Sequence, residues 1–591
     1  MWRATGVGMA SVLERQQRQL RQQRPLYERI QDWIFAWDIG TGVQFFRIGM
    51  FALAMLGVIL VYTGTQFYGL RDPETMHTSQ LARSLALGRG YVTRVIRPLD
   101  LFYLESRGKP TLGPQRMTLP ELWSPPGYAL VLAVPLRFVG ARTDHSNLAA
   151  LRADRVVMLT GWFFFVVGMV MMYLLARELF DRRVAALSAF LYLFCQGLLD
   201  HAVSGLATGY VATLLLVAAH SLLKAERWRR AERSNFSVNA ALMVSAMAVG
   251  LATLAQYTVC MVMVPLLVYA LAGFREARWW RLLLCLTMFV LVLAPWMMRN
   301  RLVSGRWFGL AQQGLLENTG FGRYQKPTGQ LQRAFTVESP WEWHAIGLKV
   351  LRNTRQLYEE TIKETGANYL IAFFLVSLVH RWRDDEAVRL RRWLLWAMIG
   401  CAAWLSVVGV PQRNFFTAFM PMVVVYAAAF FVVLFERLQF RTRFLRGGMV
   451  VLFVLVNMAP MVLAVLPPRE TVPYPPYNSG VGAELGRIFR ADELLASDIP
   501  WAVAWYGDRS TLWMPQRERD FIEINDRVRI ISGVYLTQET LERRKVLEEW
   551  LGQDQFILRL FQPPPPEGFP LRIYRAMTPD GEQVLLSNRS R

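Results

Sequence analysis

FFRIGMFALAMLGVILVYTGTQFYGLRDPETMHTSQLARSLALGRGY, residues 45–91, changes character once. Residues 45–67 are apolar and long enough to cross a bilayer as a helix. From Arg71 the chain turns polar, and two acids, Asp72 and Glu74, precede a helix-like segment closed by Gly88 and Gly90. The chain here leaves a membrane and begins a large polar loop. Local sequence offers one account of the acids: Asp72 caps a helix, Pro73 takes its first position, and Glu74 favours its positive end. The other account is a carboxylate placed at a membrane edge to accept a proton.

Of the 591 residues 53% are hydrophobic and 19% charged, unusual for a soluble protein. Working outward from the first run, eleven spans are expected, at 45–67, 155–176, 184–200, 206–223, 237–254, 257–273, 281–298, 367–381, 393–410, 415–435 and 447–466. The chain reads as a polytopic α-helical membrane protein with about eleven transmembrane helices. The net charge of +21 lies in short loops at alternate crossings, near 177–183, 224–233, 275–281, 381–392 and 437–446. This is the positive-inside pattern, and scattered short loops form no single basic face for nucleic acid. The four cysteines, Cys195, Cys260, Cys285 and Cys401, have no paired spacing and read as small core residues. Residues 1–42 read as a basic cytoplasmic segment without a removable signal, the first span serving as the insertion signal.

With the N-terminus inside, an odd number of spans leaves the C-terminus outside, together with loops 68–154 and 299–366. Residues 125–140 are apolar but short and read as an interfacial helix of the first loop. Residues 467–591 open on a proline cluster and read as a small α/β extracytoplasmic domain. Strands are expected near 494–497, 502–506, 511–514, 528–531, 556–561 and 571–574, with a helix over 538–551. In it, Trp501, Trp505 and Tyr506 offer rings either for stacking on a sugar or for a packed core.

Outside the membrane, Arg299 and Arg301 follow Pro295 and Trp296 at the end of the seventh span. Positive charge on the outer face runs against the general trend, so these arginines are candidates for a phosphate, with headgroup anchoring as the alternative. Arg413 stands at the start of the tenth span. His77 and His201 have no ligand at metal spacing, so no metal site is expected from the histidines.

The motifs ARSLALGRGY at 82–91, PPGY at 125–128 and PWMMRN at 295–300 resemble, in order and placement, the GT-C superfamily of polytopic glycosyltransferases. The likeness is to its family 39 branch, with protein O-mannosyltransferases and aminoarabinose transferases, and covers residues 45–440. It implies a polyprenyl-phosphate-linked sugar as donor, inversion at the sugar carbon, and an outer-face site. The family's acid lies eight residues before the Ala of A-R, at Glu74 here, where Asp is usual. Either Glu74 is the base, or Asp72 has taken the role, or activity is reduced. Arg299, Arg301 and Arg413 fall to the donor phosphate, and Arg83, Tyr91, Trp296 and Asn300 are substrate-loop candidates. Residues 204–209 lack the acid many relatives carry there, so a second acid is expected from Asp200 or from 299–366. No cofactor is required, and a divalent cation is left open. The expectation is a bacterial inner-membrane glycosyltransferase acting on a lipid, glycan or protein acceptor. The alternatives are a non-catalytic envelope scaffold with a decayed GT-C core and a transporter, the latter disfavoured by spans nearly free of acids.

Overall fold

The computed structural model describes residues 41–591 apart from 110, 114–116, 140–146, 275–276, 316–330, 334–342, 365–367, 410–414, 439–442, 468–478, 516, 543–555, 579–580 and 590–591. The chain divides into two units, residues 1–65 and 66–591. The described part of the first is helix α1 (Thr41–Gln66), whose apolar side chains are largely exposed, as a lipid-facing helix requires.

In the second unit, the first loop folds as α2 (Pro73–Ala86), β1 (Val92–Thr93), β2 (Val95–Ile96), α3 (Pro98–Glu105), β3 (Leu119–Pro120) and α4 (Gly127–Val139). The bundle follows as α5 (Asn147–Leu179), α6 (Arg182–Leu193), α7 (Gln196–Val203), α8 (Thr208–Arg230), α9 (Asn235–Thr253), a 3-10 turn (Tyr257–Val262), α10 (Met263–Gly273) and α11 (Arg278–Ser304). It is completed by α12 (Trp343–Glu364), α13 (Asn368–Val379), α14 (Asp385–Val408), α15 (Met420–Arg437) and α16 (Arg443–Val465). Each of the eleven expected runs contains a helix. Among the described residues, seven helices are long and apolar enough to cross a membrane, or eight if the bent pair α6–α7 is one span. The difference has local causes. Residues 257–273 begin as a 3-10 turn, α13 has 12 residues, and α14 starts on charged turns.

The five basic clusters meet at one end of this bundle. Buried Glu226 on α8 takes Arg389 of α14, Arg230 at 2.9 Å and the Tyr269 hydroxyl at 2.6 Å. Glu386 pairs with Arg227 at 2.9 Å and Arg230 at 3.0 Å, Arg183 reaches Glu436, and Arg281 binds Asn235 and Asn239. A buried carboxylate needs such partners, and these pairs fasten the helix ends together. Helices α5 and α11 run from this end to the opposite one, where the polar loops gather.

The C-terminal segment contributes α17 (Ser479–Ile488), β4 (Leu494–Ser497), α18 (Pro500–Tyr506), β5 (Thr511–Trp513), α19 (Glu518–Glu523), β6 (Ile531–Leu536), β7 (Ile573–Ala576) and β8 (Val584–Ser587). Six strands form one sheet in the order β2-β5-β4-β6-β8-β7. Its edge strand β2 comes from the first loop and pairs in parallel with β5, Val95 opposite Thr511 and Ile96 opposite Leu512. Alternation sends Val95, Leu495, Tyr535 and Leu585 to one face, against α2, α4, α17 and α18. Ile96, Leu512, Val534 and Leu586 go to the other, with α3 and Leu119, Leu122 and Phe521.

Two expected strands are helical. Residues 500–506 form α18 because Pro500 presets its first turn and Trp501 and Trp505, one turn apart, share a face. Residues 556–559 form a helical turn. The expected strand near 528–531 starts instead at Ile531, after a π-turn over 524–528, and β8 was not anticipated. Of the helix expected over 538–551, residues 538–542 are helical and 543–555 lie outside the described residues.

Two glycines allow backbones to touch. A Cβ on Gly127 would lie 2.7 Å from the Leu254 carbonyl oxygen, and one on Gly161 2.2 Å from that of Ala202. Gly447 has open space where its Cβ would be. Gly127→Ala and Gly161→Ala are each expected to cost about 1–3 kcal/mol by overpacking. Gly447→Ala, within α16, is expected to be neutral or slightly stabilising. Thermal unfolding of the three variants in detergent checks this, and equal melting temperatures would contradict it.

Candidate active site

Helix α2 begins where local sequence predicts, with Asp72 at the N-cap position but making no side-chain capping bond, Pro73 in the first turn and Glu74 beside it. The two acids have different surroundings. Asp72 is buried at 4% exposure, and its main-chain oxygen accepts from the Met76 amide at 3.0 Å. Glu74 is exposed, with its Oε1 accepting from Gln256 Nε2 at 3.4 Å. Protein crowded around it withholds bulk hydration, which raises its carboxyl above the ordinary value. The Gln256 hydrogen bond opposes that rise, and Asp72 adds to it. Glu74 is therefore a water-accessible carboxylate with enhanced basicity.

Gln256 is carried by the turn after α9, which the Gly127 amide pins by donating to the Leu254 carbonyl at 2.6 Å. The adjacent Tyr257 hydroxyl accepts from Trp296 Nε1 at 2.6 Å. The Trp296 ring lies edge-on to Tyr91, centroids 5.2 Å apart, and beneath the Arg299 guanidinium at 4.8 Å. Contacts thus run unbroken from Glu74 to Arg299.

The Arg299 guanidinium donates to the Glu121 carbonyl, to Asn300 Oδ1 at 2.9 Å and to the Tyr91 carbonyl at 3.3 Å. All three acceptors are neutral. They orient the cation, whose N–H groups suit a polyanion such as a phosphate, while the Glu121 carboxylate acts on it through space. Arg301, two residues on, projects from the other side of α11, exposed, against the Gly305 carbonyl and the Trp307 ring at 5.5 Å. The structure does not bring it to Arg299. Arg413 lies outside the described residues. Tyr91, Trp296 and Asn300 come together with Arg299, whereas Arg83 does not. Buried Arg83 donates to the Trp505 carbonyl at 2.7 Å, lies 3.8 Å from that ring, and pairs with Asp508 at 3.9 Å. Burial lowers its pKa to about 10 while Asp508 and Asp154 counter the fall. Trp505 Nε1 and the Tyr506 hydroxyl bind Asp154 at 2.7 and 3.0 Å, so α18 is clamped between α2 and α5. The Trp505 and Tyr506 rings belong to a packed core, as does Trp501.

Behind Arg299 lies a buried group that the sequence did not disclose. Glu121 accepts from the amides of Trp123 and Ser124 at 2.8 and 2.9 Å, and its other oxygen lies 3.2 Å from His77 Nε2. Arg97 is 3.5 Å from Glu121 and 3.7 Å from Asp100, and Asp100 accepts from Trp123 Nε1 at 2.6 Å. Burial would raise the Glu121 carboxyl, but Arg97, His77 and the Ser124 amide outweigh it and hold the group well below the usual carboxylate range. Asp100 is raised to about 7 by burial, against the pull of Arg97 and with a push from Glu121. His77 is lowered by burial and by Arg97, with Glu121 opposing. Below neutral pH Asp100 keeps its proton, which leaves Arg97 and Glu121 as the buried ion pair. Of the second acids expected, Asp200 or one from 299–366, Glu317, Glu338 and Glu342 lie outside the described residues; the acids beside Arg299's support, Glu121 and Asp100, are in the first loop. Their one sequence signal is Glu121 just ahead of Trp123 and the PPGY motif, an acid among apolar residues. Among the described residues, no three His, Cys, Asp or Glu side chains are grouped to hold a metal ion.

This bundle, with its loop helices gathered at one end beside a mixed sheet, is the GT-C fold of membrane glycosyltransferases. The crystal structure of ArnT from Cupriavidus metallidurans bound to undecaprenyl phosphate is similar with a TM-score of 0.57 at 12% identity, over 92% of this chain and 98% of that one. The archaeal oligosaccharyltransferase AglB from Archaeoglobus fulgidus, in complex with an inhibitory peptide and a dolichol-phosphate, gives 0.54 at 13% identity, over 91% and 74%. Within the sequence, residues 149–298 match the family described as dolichyl-phosphate-mannose-protein mannosyltransferase. No curated protein matches the chain by sequence.

Asp100 supplies a pH test of the buried group. Its folded pKa of about 7 lies above the ordinary carboxyl value of about 3.9. The folded state thus keeps a proton that the unfolded chain has released. Asp100 therefore lowers stability progressively as pH rises through that window. Asp100→Asn should flatten this part of the curve, so melting temperatures of wild type and variant measured between about pH 4 and pH 8 should diverge in the variant's favour as pH rises. Parallel curves would contradict the assignment.

Proposed function

We propose that the protein is a membrane glycosyltransferase that moves a sugar from a polyprenyl-phosphate donor to an acceptor hydroxyl at the end of the bundle opposite the basic clusters. The observation that carries this reading is a single continuous site on a GT-C fold. It holds an exposed, basicity-enhanced carboxylate at Glu74 and a cation at Arg299 oriented by neutral acceptors. The relatives of known structure were captured with undecaprenyl phosphate and with a dolichol-phosphate, which supports the same donor class here.

Glu74 accepts the acceptor's proton as its oxygen attacks the sugar carbon, and Arg299 stabilises the charge that gathers on the departing lipid phosphate. The attack comes from the face opposite the phosphate and inverts the sugar carbon. Glu74 is favoured over Asp72 because only Glu74 presents its carboxylate to solvent. Tyr91, Trp296 and Asn300 shape and hold the cation's side of the site, and Arg83 fixes α2 against α18. The acceptor is an envelope lipid, glycan or protein. The positive-inside pattern supports a cytoplasmic basic end and a site on the outer face, and the reading takes the membrane to be a bacterial inner membrane.

Purified protein given a panel of polyprenyl-phosphate sugars should release or transfer the sugar from at least one. Glu74→Gln should lower turnover by about 10²–10⁴-fold, as for loss of a general base. Asp72→Asn should act mainly on stability. Full transfer by Glu74→Gln would sink the assignment, and no reaction with any donor would favour a non-catalytic scaffold. The acid limb of the rate profile should lie above the ordinary glutamate range, because the protein crowded around Glu74 withholds hydration and raises it. Gln256→Ala removes a bond that lowers this pKa and should move that limb further up.

A further inference from the structure

Glu121 touches both halves of the site through different atoms. Its carbonyl holds Arg299. One carboxylate oxygen closes its own turn on the Trp123 and Ser124 amides at 2.8 and 2.9 Å. The other lies 3.2 Å from Nε2 of His77, which stands one helical turn after Glu74 on α2. Its amide donates to the Tyr91 carbonyl at 3.3 Å, the same oxygen that takes an Arg299 N–H. Glu121 is fully buried, so none of this geometry is loosened by water.

We propose that Glu121 is a positioning residue that sets the distance between the acid on α2 and the Arg299 cation. It reaches α2 through its carboxylate and His77, and Arg299 through its carbonyl. The inference rests on the function proposed above and adds a member that touches neither the acceptor nor the phosphate. A displacement of about 1 Å between base and leaving group is enough to cost on the order of 100-fold in rate, which gives such a spacer its value. The two connections are separable. Glu121→Gln keeps an oxygen for the Trp123 and Ser124 amides, so the turn and the carbonyl that holds Arg299 persist, but the carboxylate that faces His77 and Arg97 loses its charge. His77→Gln cuts the same contact from the α2 side. Glu121→Ala removes the turn as well.

The test uses the full chain in detergent with undecaprenyl phosphate as probe, measured by calorimetric titration and by hydrogen exchange of the α2 amides with and without the lipid. In wild type, the lipid should slow exchange in α2, because the two halves are joined. In Glu121→Gln and His77→Gln, affinity should stay within about threefold while lipid-induced protection of α2 disappears; in Glu121→Ala, affinity should fall at least about tenfold. A side chain that merely stabilised the fold would raise exchange equally with and without lipid. Protection of α2 that survives in both Gln variants, or wild-type affinity in Glu121→Ala, overturns the proposal. If Glu121→Ala does not fold, the two Gln variants decide alone. Arg299→Ala separates the two readings: undiminished binding by that variant removes the phosphate role of Arg299, whatever Glu121 does.

Discussion

The pairing of Val95 and Ile96 with Thr511 and Leu512 is the constraint from which the functional end of the molecule follows. It makes a strand from the first loop the edge of a sheet otherwise built from the last part of the chain. Once that edge is fixed, alternate residues of β2 enter two different cores, Val95 beneath α2 and Ile96 beneath α3. Helix α18 then fills the space between α2 and α5, with Trp505 accepting the stacked Arg83 and donating to Asp154. The helix that carries Glu74 is thereby gripped from the sheet side, from α18 and from α4. Within it, Glu74 is the exposed residue.

Among the described residues, the arginines of this region differ in what they face. Arg83 and Arg94 face Asp508, and Arg97 faces Glu121 and Asp100. These pairs answer the cost of burying charge and leave nothing for a ligand. Arg299 donates its hydrogen bonds to carbonyl and amide oxygens instead, which fix its direction. The buried group behind it also explains an apparent contradiction. Two acids share Arg97, and they diverge because Glu121 has two amide donors and His77 in addition. Asp100, with the Trp123 indole as its further donor, gives way and keeps its proton towards neutrality.

Much of the bundle was legible in the sequence because apolar length is a local property, and every expected run contains a helix. Basic residues were readable for the same reason, and their meeting at one end agrees with the alternation from which the topology was counted. Helix α2 could be read from Asp72, Pro73 and Glu74. The strands at Leu494–Ser497 and Thr511–Trp513 were readable, but 500–506 was not, since its aromatic and apolar residues suit strand and helix alike and Pro500 decided. Least legible was what depends on long-range contact. Arg83 looked like a loop residue near substrate until Trp505 was seen upon it. Glu121, Asp100 and Gln256 gave no motif, because their roles come from neighbours distant in sequence. Arg301 was grouped with Arg299 by adjacency, although two residues on a helix point to different sides.

Arg83 meets Trp505 across 422 residues, and the strand pairing beside it spans a comparable length. During synthesis, therefore, the helix bearing the acid is made early and held late. Every intervening span is threaded into the bilayer before the segment that grips α2 has emerged. Until then the first loop has neither its sheet nor its clamp. Contacts of such high sequence separation form slowly and last. A chain interrupted before its C-terminal sheet would carry α2 and β2 with one side uncovered, so the packing of the first loop is completed only when β4 to β8 have been made.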